Sequence, residues 1–352
     1  MFIISIIKFI LFILLFTYLP AKVFFHKLQI KSDDIYIDRG LSITFGITFL
    51  TLCTLFLKFM SISLSFLWII PVFSIIYLLF FISDFKKELK LFLKKKHTLA
   101  YPVIISVILI GVISQNLVLF RGGMQVAGGL VFPSSHDTMW NIALSSELYH
   151  HFPPYNPAIS TQPLKNNHYF YPMLLATARF LTGNNIFDLY FRFMPVVVSL
   201  LFGLAVYAVS SVFTKNLFFR VLAVFLGYFS GNFAYLVPLF MKKSFDWKGN
   251  TFFADQPFDQ IINPYSVFGF ALMLYGIYCL SQIIQAKKNF SWGYSIVGGL
   301  LFGILYGFKS FGGVIAIAAL VVTTFLQFIF YRKLILLPIT IFSLILFSLI
   351  FF

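Results

Sequence analysis

The sequence predicts an all-α protein: a polytopic transmembrane helical bundle of about ten spans, with a helical outer loop and a juxtamembrane helix. Three observations predict this class. Hydrophobic residues make up 60% of the 352 residues and charged residues only 11%, against about 25% charged in soluble domains. Long apolar runs recur, each near the roughly 20 residues that a membrane span needs. The runs are continuous rather than alternating, so they predict helices and exclude a transmembrane barrel.

The apolar runs divide the chain into two regions. Residues 1–100 are predicted to hold the N-terminal spans with basic cytoplasmic loops, and residues 101–352 to form a transmembrane core. The last run ends at Phe352 without a polar flank, so we expect the chain to be truncated at its C-terminus. The predicted spans are 2–19, 43–58, 64–83, 101–120, 191–213, 219–240, 264–285, 293–308, 311–330 and 335–352.

The positive charges lie in short clusters between the apolar runs, although the net charge is +15. Such clusters orient a membrane protein and contact anionic headgroups, so the strongest cluster, 84–97, is assigned to the cytoplasm. We therefore expect membrane lipids, and no nucleic acid, as partners. The two cysteines, Cys53 and Cys279, fall inside apolar runs and offer no disulfide or metal framework.

The short apolar segment 169–182, which contains Pro172 and Arg179, decides the remaining topology. If this segment spanned the membrane, three later pairs of basic residues would move to the outer side, against the positive-inside rule. We therefore predict a juxtamembrane or re-entrant helix. Two large outer loops result, 121–168 and 241–263, and long loops on a rigid scaffold commonly carry binding and catalysis.

Carboxylates are scarce, and six of the eleven fall on the predicted outer side. Asp137 and Glu147 share the loop 121–168 with four of the six histidines. A carboxylate beside histidines in an apolar setting is typical of a functional site, because such settings shift pKa values. This loop is therefore the predicted site of catalysis. Its histidines are His136, His150, His151 and His168.

Two functional interpretations of this loop compete with simpler ones. Asp137 fits a general base or a metal-assisted activator of an acceptor, and it equally fits an acid in the first turn of a helix, favoured by capping and the helix dipole. Glu147 and His150 are three residues apart, which places both on one helix face. With His136 or His151 they would complete a divalent-metal site, while wet helix faces carry such pairs routinely.

A second polar tract, residues 161–172, returns the chain to the membrane. Lys165, His168 and Tyr169 would meet a phosphate and a sugar at headgroup level; the alternative is an aromatic belt with a snorkelling lysine. Arg192 opens a span and Lys309 lies between two spans. Each is costly in lipid unless it reaches the interface or pairs with an anion, such as a carboxylate or a lipid-linked phosphate.

The order of the motifs in roughly 101–290 resembles the GT-C superfamily of integral membrane glycosyltransferases. Its relatives include the protein O-mannosyltransferases, the aminoarabinose transferases that modify lipid A, and the RgtA/B/C/D-like sugar transferases. The individual motifs are loose, and their order carries the resemblance. They are HD at 136–137, FPPYNP at 152–157, PL at 163–164, HYFYP at 168–172 and LTGNNIFDLYFR at 181–192.

The resemblance implies roles for several residues. In that superfamily an acidic residue of the first outer loop is the catalytic base or acceptor activator, and the donors are typically polyprenyl-phosphate sugars. Asp137 matches that position, Arg192 matches an arginine that leads into a span, and Asp255 lies where the family has its second outer loop. The chain departs from the family by three extra spans before the acidic loop, and by His136 beside Asp137 where some relatives have paired acids.

The predicted function is transfer of a sugar from a polyprenyl-phosphate donor to an envelope glycan, lipid or protein at the outer face of a bacterial or archaeal plasma membrane. The alternatives are a polymerase or ligase of envelope polysaccharide, and a transporter or lipid flippase, which would place ionisable residues at mid-span. Asp137 is the predicted catalytic residue. The predicted donor-binding residues are His136, Lys165, His168, Tyr169, Arg192 and Asp255, with Glu147 and His150 as ligands of a divalent metal.

Overall fold

The computed structural model describes residues 2–32, 34–82, 100–117, 119–131, 136–164, 168–230, 263–286 and 291–351. Within these ranges the chain is all-α, apart from two short antiparallel hairpins, Gln125–Val126 with Gly129–Leu130 and Tyr155–Asn156 with Ile159–Pro163. The helices are α1 (Phe2–Lys27), α2 (Ile35–Phe59), α3 (Leu64–Phe80), α4 (Ala100–Asn116), α5 (His136–His150), α6 (Phe170–Thr182), α7 (Ile186–Phe213), α8 (Leu217–Phe229), α9 (Pro264–Gln285), α10 (Trp292–Phe308), α11 (Ser310–Tyr331) and α12 (Leu337–Phe351).

Five of these helices, α1, α2, α7, α9 and α11, are long and apolar enough to cross a membrane. Five more, α3, α4, α8, α10 and α12, are apolar but shorter, with 10 to 17 residues in the described segments. Each predicted apolar run falls on one of these ten helices. The all-α class is confirmed, and the apolar helices agree with a membrane protein; a count of ten spans stays a prediction.

Glycines let large aromatic side chains fit between the helices. The Tyr228 side chain of α8 is buried between α4 and α7, and its hydroxyl donates to the Ser199 carbonyl over 2.7 Å. A Cβ atom added at Gly111 would lie 2.4 Å from the Tyr228 ring, and one added at Gly203 would lie 2.2 Å from its hydroxyl. Close approach of backbone to ring is therefore possible only without a side chain at these two positions.

Two groups of polar contacts between helices mark the two ends of the bundle, besides contacts within it such as that of Tyr228 with Ser199. At one end, called the Asp34 end, the Tyr207 hydroxyl of α7 donates to Asp34 over 2.7 Å, and the Tyr294 hydroxyl of α10 donates to the Lys31 carbonyl over 3.0 Å. At the other, called the Asp137 end, contacts join the starts of α5 and α9. The Lys/Arg distribution assigns the loops at the Asp34 end to the cytoplasm, and this assignment stays a prediction.

Helix α6 covers the segment predicted to be juxtamembrane or re-entrant. Ten of its thirteen residues are buried, and it packs against α1, α2, α5 and α10. The Thr177 hydroxyl donates to the Thr54 hydroxyl of α2 over 3.2 Å. The helix ends at Gly183, whose left-handed φ of 68° suits glycine. Helix α6 is thus largely enclosed by other helices, and its juxtamembrane or re-entrant position stays a prediction.

Candidate functional site

The predicted catalytic carboxylate, Asp137, lies in the first turn of α5 with an exposed side chain. Its Oδ2 atom accepts a hydrogen bond of 3.2 Å from the Tyr265 hydroxyl. Tyr265 lies in the first turn of α9, directly after Pro264 at the start of that helix. The carboxylate therefore lies near two helix N-termini, where a negative charge is favoured.

A lysine completes the cluster from a third direction. Lys309 is the single residue between α10 and α11, and its extended backbone (φ −150°, ψ 100°) separates the two helices. Its ammonium donates to the Ser266 hydroxyl over 2.8 Å and lies 4.7 Å from the centre of the Tyr265 ring. Burial lowers the pKa of Lys309, and the charge of Asp137 partly offsets this effect. In the described ranges no carboxylate lies within 4.0 Å of this ammonium.

His168 stands beside the same tyrosine, two residues before α6. Its ring centre lies 5.2 Å from that of Tyr265. Burial lowers the pKa of His168 below its usual 6.5, the nearby Lys309 lowers it further, and Asp137 opposes both effects. The imidazole is therefore uncharged at neutral pH, with one nitrogen to donate and one to accept a hydrogen bond.

Polar side chains are buried next to Asp137. The Asn141 amide donates to the Asp137 carbonyl over 2.8 Å, and the Tyr190 hydroxyl of α7 lies beside Thr138 and Asn141. Within the described part of the chain, the hydroxyls of Thr138 and Tyr190 are buried without a hydrogen bond of good geometry. Buried hydroxyls are normally paired with protein or water, and these two hydroxyls lie beside each other next to Asp137.

The structure brings Asp137 and His168 together and places other predicted residues elsewhere. Arg192 binds the Asp188 carboxylate one turn earlier and the Gly122 carbonyl at 2.9 Å, so its guanidinium is already held by protein groups. Tyr169 is half-buried with its ring against Phe152 and Phe170, and burial raises its pKa. His136 begins α5. Lys165 and Asp255 lie outside the described residues.

The predicted metal ligands make other contacts. A Glu147 oxygen accepts a long hydrogen bond of 3.5 Å from the Tyr155 backbone, and the His150 ring packs edge-on against Tyr149. Among the residues described here, no three His, Cys, Asp or Glu side chains gather in a way that could hold a metal ion.

Sequence reasoning missed Tyr265 and Ser266. The usable signal is Pro264, because proline favours the first position of a helix and so places Tyr265 in the first turn after the second predicted outer loop. Lys309 carries a similar signal, as a cation between two apolar runs that needs an anionic or polar partner.

Comparison with known protein families, with characterised proteins and with solved structures gives no match for this chain. The geometry at the Asp137 end is therefore the basis for any functional inference.

Proposed function

We propose that the chain is a GT-C-like membrane glycosyltransferase that moves a sugar from a polyprenyl-phosphate donor to a hydroxyl of an envelope glycan, lipid or protein. The observation that carries the proposal is the exposed Asp137 carboxylate, bound by the Tyr265 hydroxyl, with the half-buried Lys309 ammonium 4.7 Å from the centre of the same tyrosine ring. Glycosyl transfer from a phosphate requires a base and a cation close to each other.

In the proposed reaction, Asp137 takes the proton of the acceptor hydroxyl as its oxygen forms a bond to the sugar carbon. The bond from that carbon to the phosphate oxygen breaks, and the lipid phosphate leaves with the electron pair. A positioned general base typically contributes about 10²–10⁴-fold to the rate. Lys309 would stabilise the charge on the departing phosphate, because a fixed cation acts on the charge that develops in the transition state.

Location supports a lipid-linked donor. Nucleotide sugars are made in the cytoplasm, whereas Asp137 lies in a loop assigned to the outer side by the Lys/Arg distribution. In the proposed arrangement all ten apolar helices span a bacterial or archaeal plasma membrane, with 84–97 in the cytoplasm and with 121–168 and 241–263 outside. The bilayer would hold the prenyl tail and present the phosphate at headgroup depth.

The test is release of radiolabelled hexose from polyprenyl-phosphate hexose by the purified full chain in proteoliposomes. Asp137→Asn should lower the rate by about 10²–10⁴-fold, because it removes the base and keeps the size. Glu147→Gln is the matched control, the same carboxyl-to-amide change on the same helix, and should keep the wild-type rate.

Four results would contradict the proposal. Wild-type release by Asp137→Asn would leave Asp137 as a helix-start residue only. Equal use of a water-soluble nucleotide sugar without a lipid carrier would exclude the lipid donor. Movement of the intact donor across the membrane without sugar release would favour a flippase, and growth of a lipid-linked polymer would favour a polymerase.

A further inference from the structure

A cavity with polar walls lies at the opposite end of α5 from Asp137. It has a volume of about 330 Å³, and its polar walls come from Lys58 in the last turn of α2, from Ser61 in the turn that follows, and from His150 at the end of α5. At 1.5 Å per helical residue, His150 lies about 20 Å along α5 from Asp137. The cavity is therefore distinct from the Asp137 cluster.

The lining of this cavity is basic. Lys58 and His150 line it, and among the described residues no Asp or Glu does. A third basic group lies behind the wall, because the Arg179 guanidinium of α6 sits 4.6 Å over the ring of Tyr149, which also lines the cavity. The cavity therefore has a net positive character.

The Lys58 ammonium lacks an anionic partner in the described ranges. Lys22, another half-buried lysine, binds the Asp38 carboxylate at 2.9 Å. In contrast, no described carboxylate lies within 4.0 Å of the Lys58 ammonium. The Lys58 side chain is half-buried at the end of an apolar helix. A cation in that setting is costly unless an anion or the interface compensates it. An anion that binds in this cavity would compensate the Lys58 charge.

The surroundings of the cavity favour an anion that is part of an amphipathic molecule. The rest of the lining is apolar and includes Ile62, Leu64 and Phe180. The turn beside the cavity exposes two large apolar side chains, Phe59 at 76% and Met60 at 53%. A free inorganic phosphate gains nothing from these residues, whereas the acyl chains of a lipid would cover them. A pocket of this volume is at the lower end of small-molecule sites, which suits a headgroup rather than a whole lipid.

We propose that this cavity binds the headgroup of an anionic phospholipid. Lys58 is the principal phosphate ligand, His150 and Ser61 are further donors, and the acyl chains lie along Phe59 and Met60. This site is independent of sugar transfer, because it lies about 20 Å from Asp137 and uses none of the residues of the Asp137 cluster.

The test is native mass spectrometry of the delipidated full chain, titrated with phosphatidylglycerol and with phosphatidylcholine. The wild-type chain should bind phosphatidylglycerol more tightly. Lys58→Gln should weaken phosphatidylglycerol binding about tenfold, the scale of one lost charge-assisted hydrogen bond. Lys215→Gln, the same change at an exposed lysine between α7 and α8, should match the wild-type affinity. Inorganic phosphate at millimolar concentration should not displace the lipid.

Several outcomes would overturn the proposal. Wild-type affinity in Lys58→Gln would remove its central residue. An equal loss in Lys58→Gln and Lys215→Gln would show general charge attraction instead of a site. Displacement by inorganic phosphate would show that the cavity takes a free anion. If Lys58→Gln does not fold, His150→Gln is measured instead, because its position is exposed. Unchanged phosphatidylglycerol binding by His150→Gln would equally refute the proposal.

Discussion

Tyr265 connects the three titratable side chains of the Asp137 cluster. Its hydroxyl binds Asp137, the Lys309 ammonium lies over its ring, and His168 packs against it. The ring and the hydroxyl thus serve different neighbours, so the two contributions can be separated by a substitution that removes only one of them.

Tyr265→Phe removes the hydroxyl and keeps the ring. We expect hexose release to fall about tenfold or more, because a hydrogen bond to a charged group is worth about 1.5–3 kcal/mol and here orients the base. Tyr155→Phe, in an exposed hairpin, is the control and should leave the rate unchanged. The rate is measured with polyprenyl-phosphate hexose at saturating donor. An unchanged rate in Tyr265→Phe would mean that Asp137 needs no orientation by this bond.

His168 makes stability depend on pH. Its pKa is lowered in the folded chain, so over the range between the folded pKa and the ordinary 6.5 the unfolded chain binds the proton and the folded chain does not. Acid therefore favours unfolding: stability falls as pH drops through 6.5 and stops falling below the folded pKa. We expect the Tm difference between pH 7.5 and pH 5 to be smaller in His168→Gln than in wild type. Thermal unfolding in detergent measures this, and equal differences would show that His168 does not carry the effect.

At the residue scale, the sequence predicts which side chains can do chemistry, but it does not predict which side chains contact them. Asp137 and His168 could be selected from the sequence because carboxylates and histidines are rare in this chain. Their contact with Tyr265 depends on how α5, α6 and α9 dock, and no local pattern encodes that. Arg192 illustrates the opposite case, since its predicted phosphate role competes with an Asp188 carboxylate one turn away.

At the element scale, close packing of α4, α7 and α8 depends on glycines that accept the Tyr228 side chain. Such sites tolerate no added methyl group unless the helices separate, because protein interiors are close-packed. The spacing of the three helices and the position of the Tyr228 ring are therefore linked at Gly111 and Gly203.

Gly203→Ala should destabilise the protein by about 1–3 kcal/mol, the usual cost of overpacking, because the new methyl group would lie 2.2 Å from the Tyr228 hydroxyl. The matched control is Gly128→Ala in the exposed hairpin, where nothing lies within 4 Å of an added Cβ atom. Thermal unfolding in detergent should give a clearly lower Tm for the first variant only. A Tm equal to that of the control would mean that Tyr228 can move aside at no cost.

Helix α6 shows that the sequence can predict a helix without predicting what packs around it. The sequence predicts a short apolar helix that does not span, and a helix of thirteen residues is present. Its enclosure is not predictable, because the walls come from α1, α2, α5 and α10, which are distant in sequence. Arg179, which looks like an interfacial cation in the sequence, instead stacks on the Tyr149 ring.

At the scale of the whole molecule, the two groups of contacts at the Asp34 end and the Asp137 end give a topology that can be tested. Loops near Asp137 and Lys309 form one group, and loops near Asp34 and Tyr294 form the other. Apolar helices of alternating direction explain this arrangement.

Single-cysteine labelling in intact cells should distinguish the two ends. Ser146→Cys, on α5, should react with a membrane-impermeant maleimide added outside, and Lys215→Cys, at the exposed start of α8, should react only after lysis. Cys279 is buried and Cys53 is half-buried in an apolar helix, so both native thiols can remain. Labelling of Lys215→Cys from outside would reverse the assignment.

The Asp137 cluster draws on four separated parts of the chain, at residues 137, 168, 265–266 and 309. This has a consequence for synthesis. Chains elongate from the N-terminus, so Asp137 leaves the ribosome long before Lys309. Until α10 and Lys309 have entered the membrane, the cluster lacks the ammonium that the folded chain places over the Tyr265 ring. Completion of the centre proposed above would therefore have to wait for the insertion of α10.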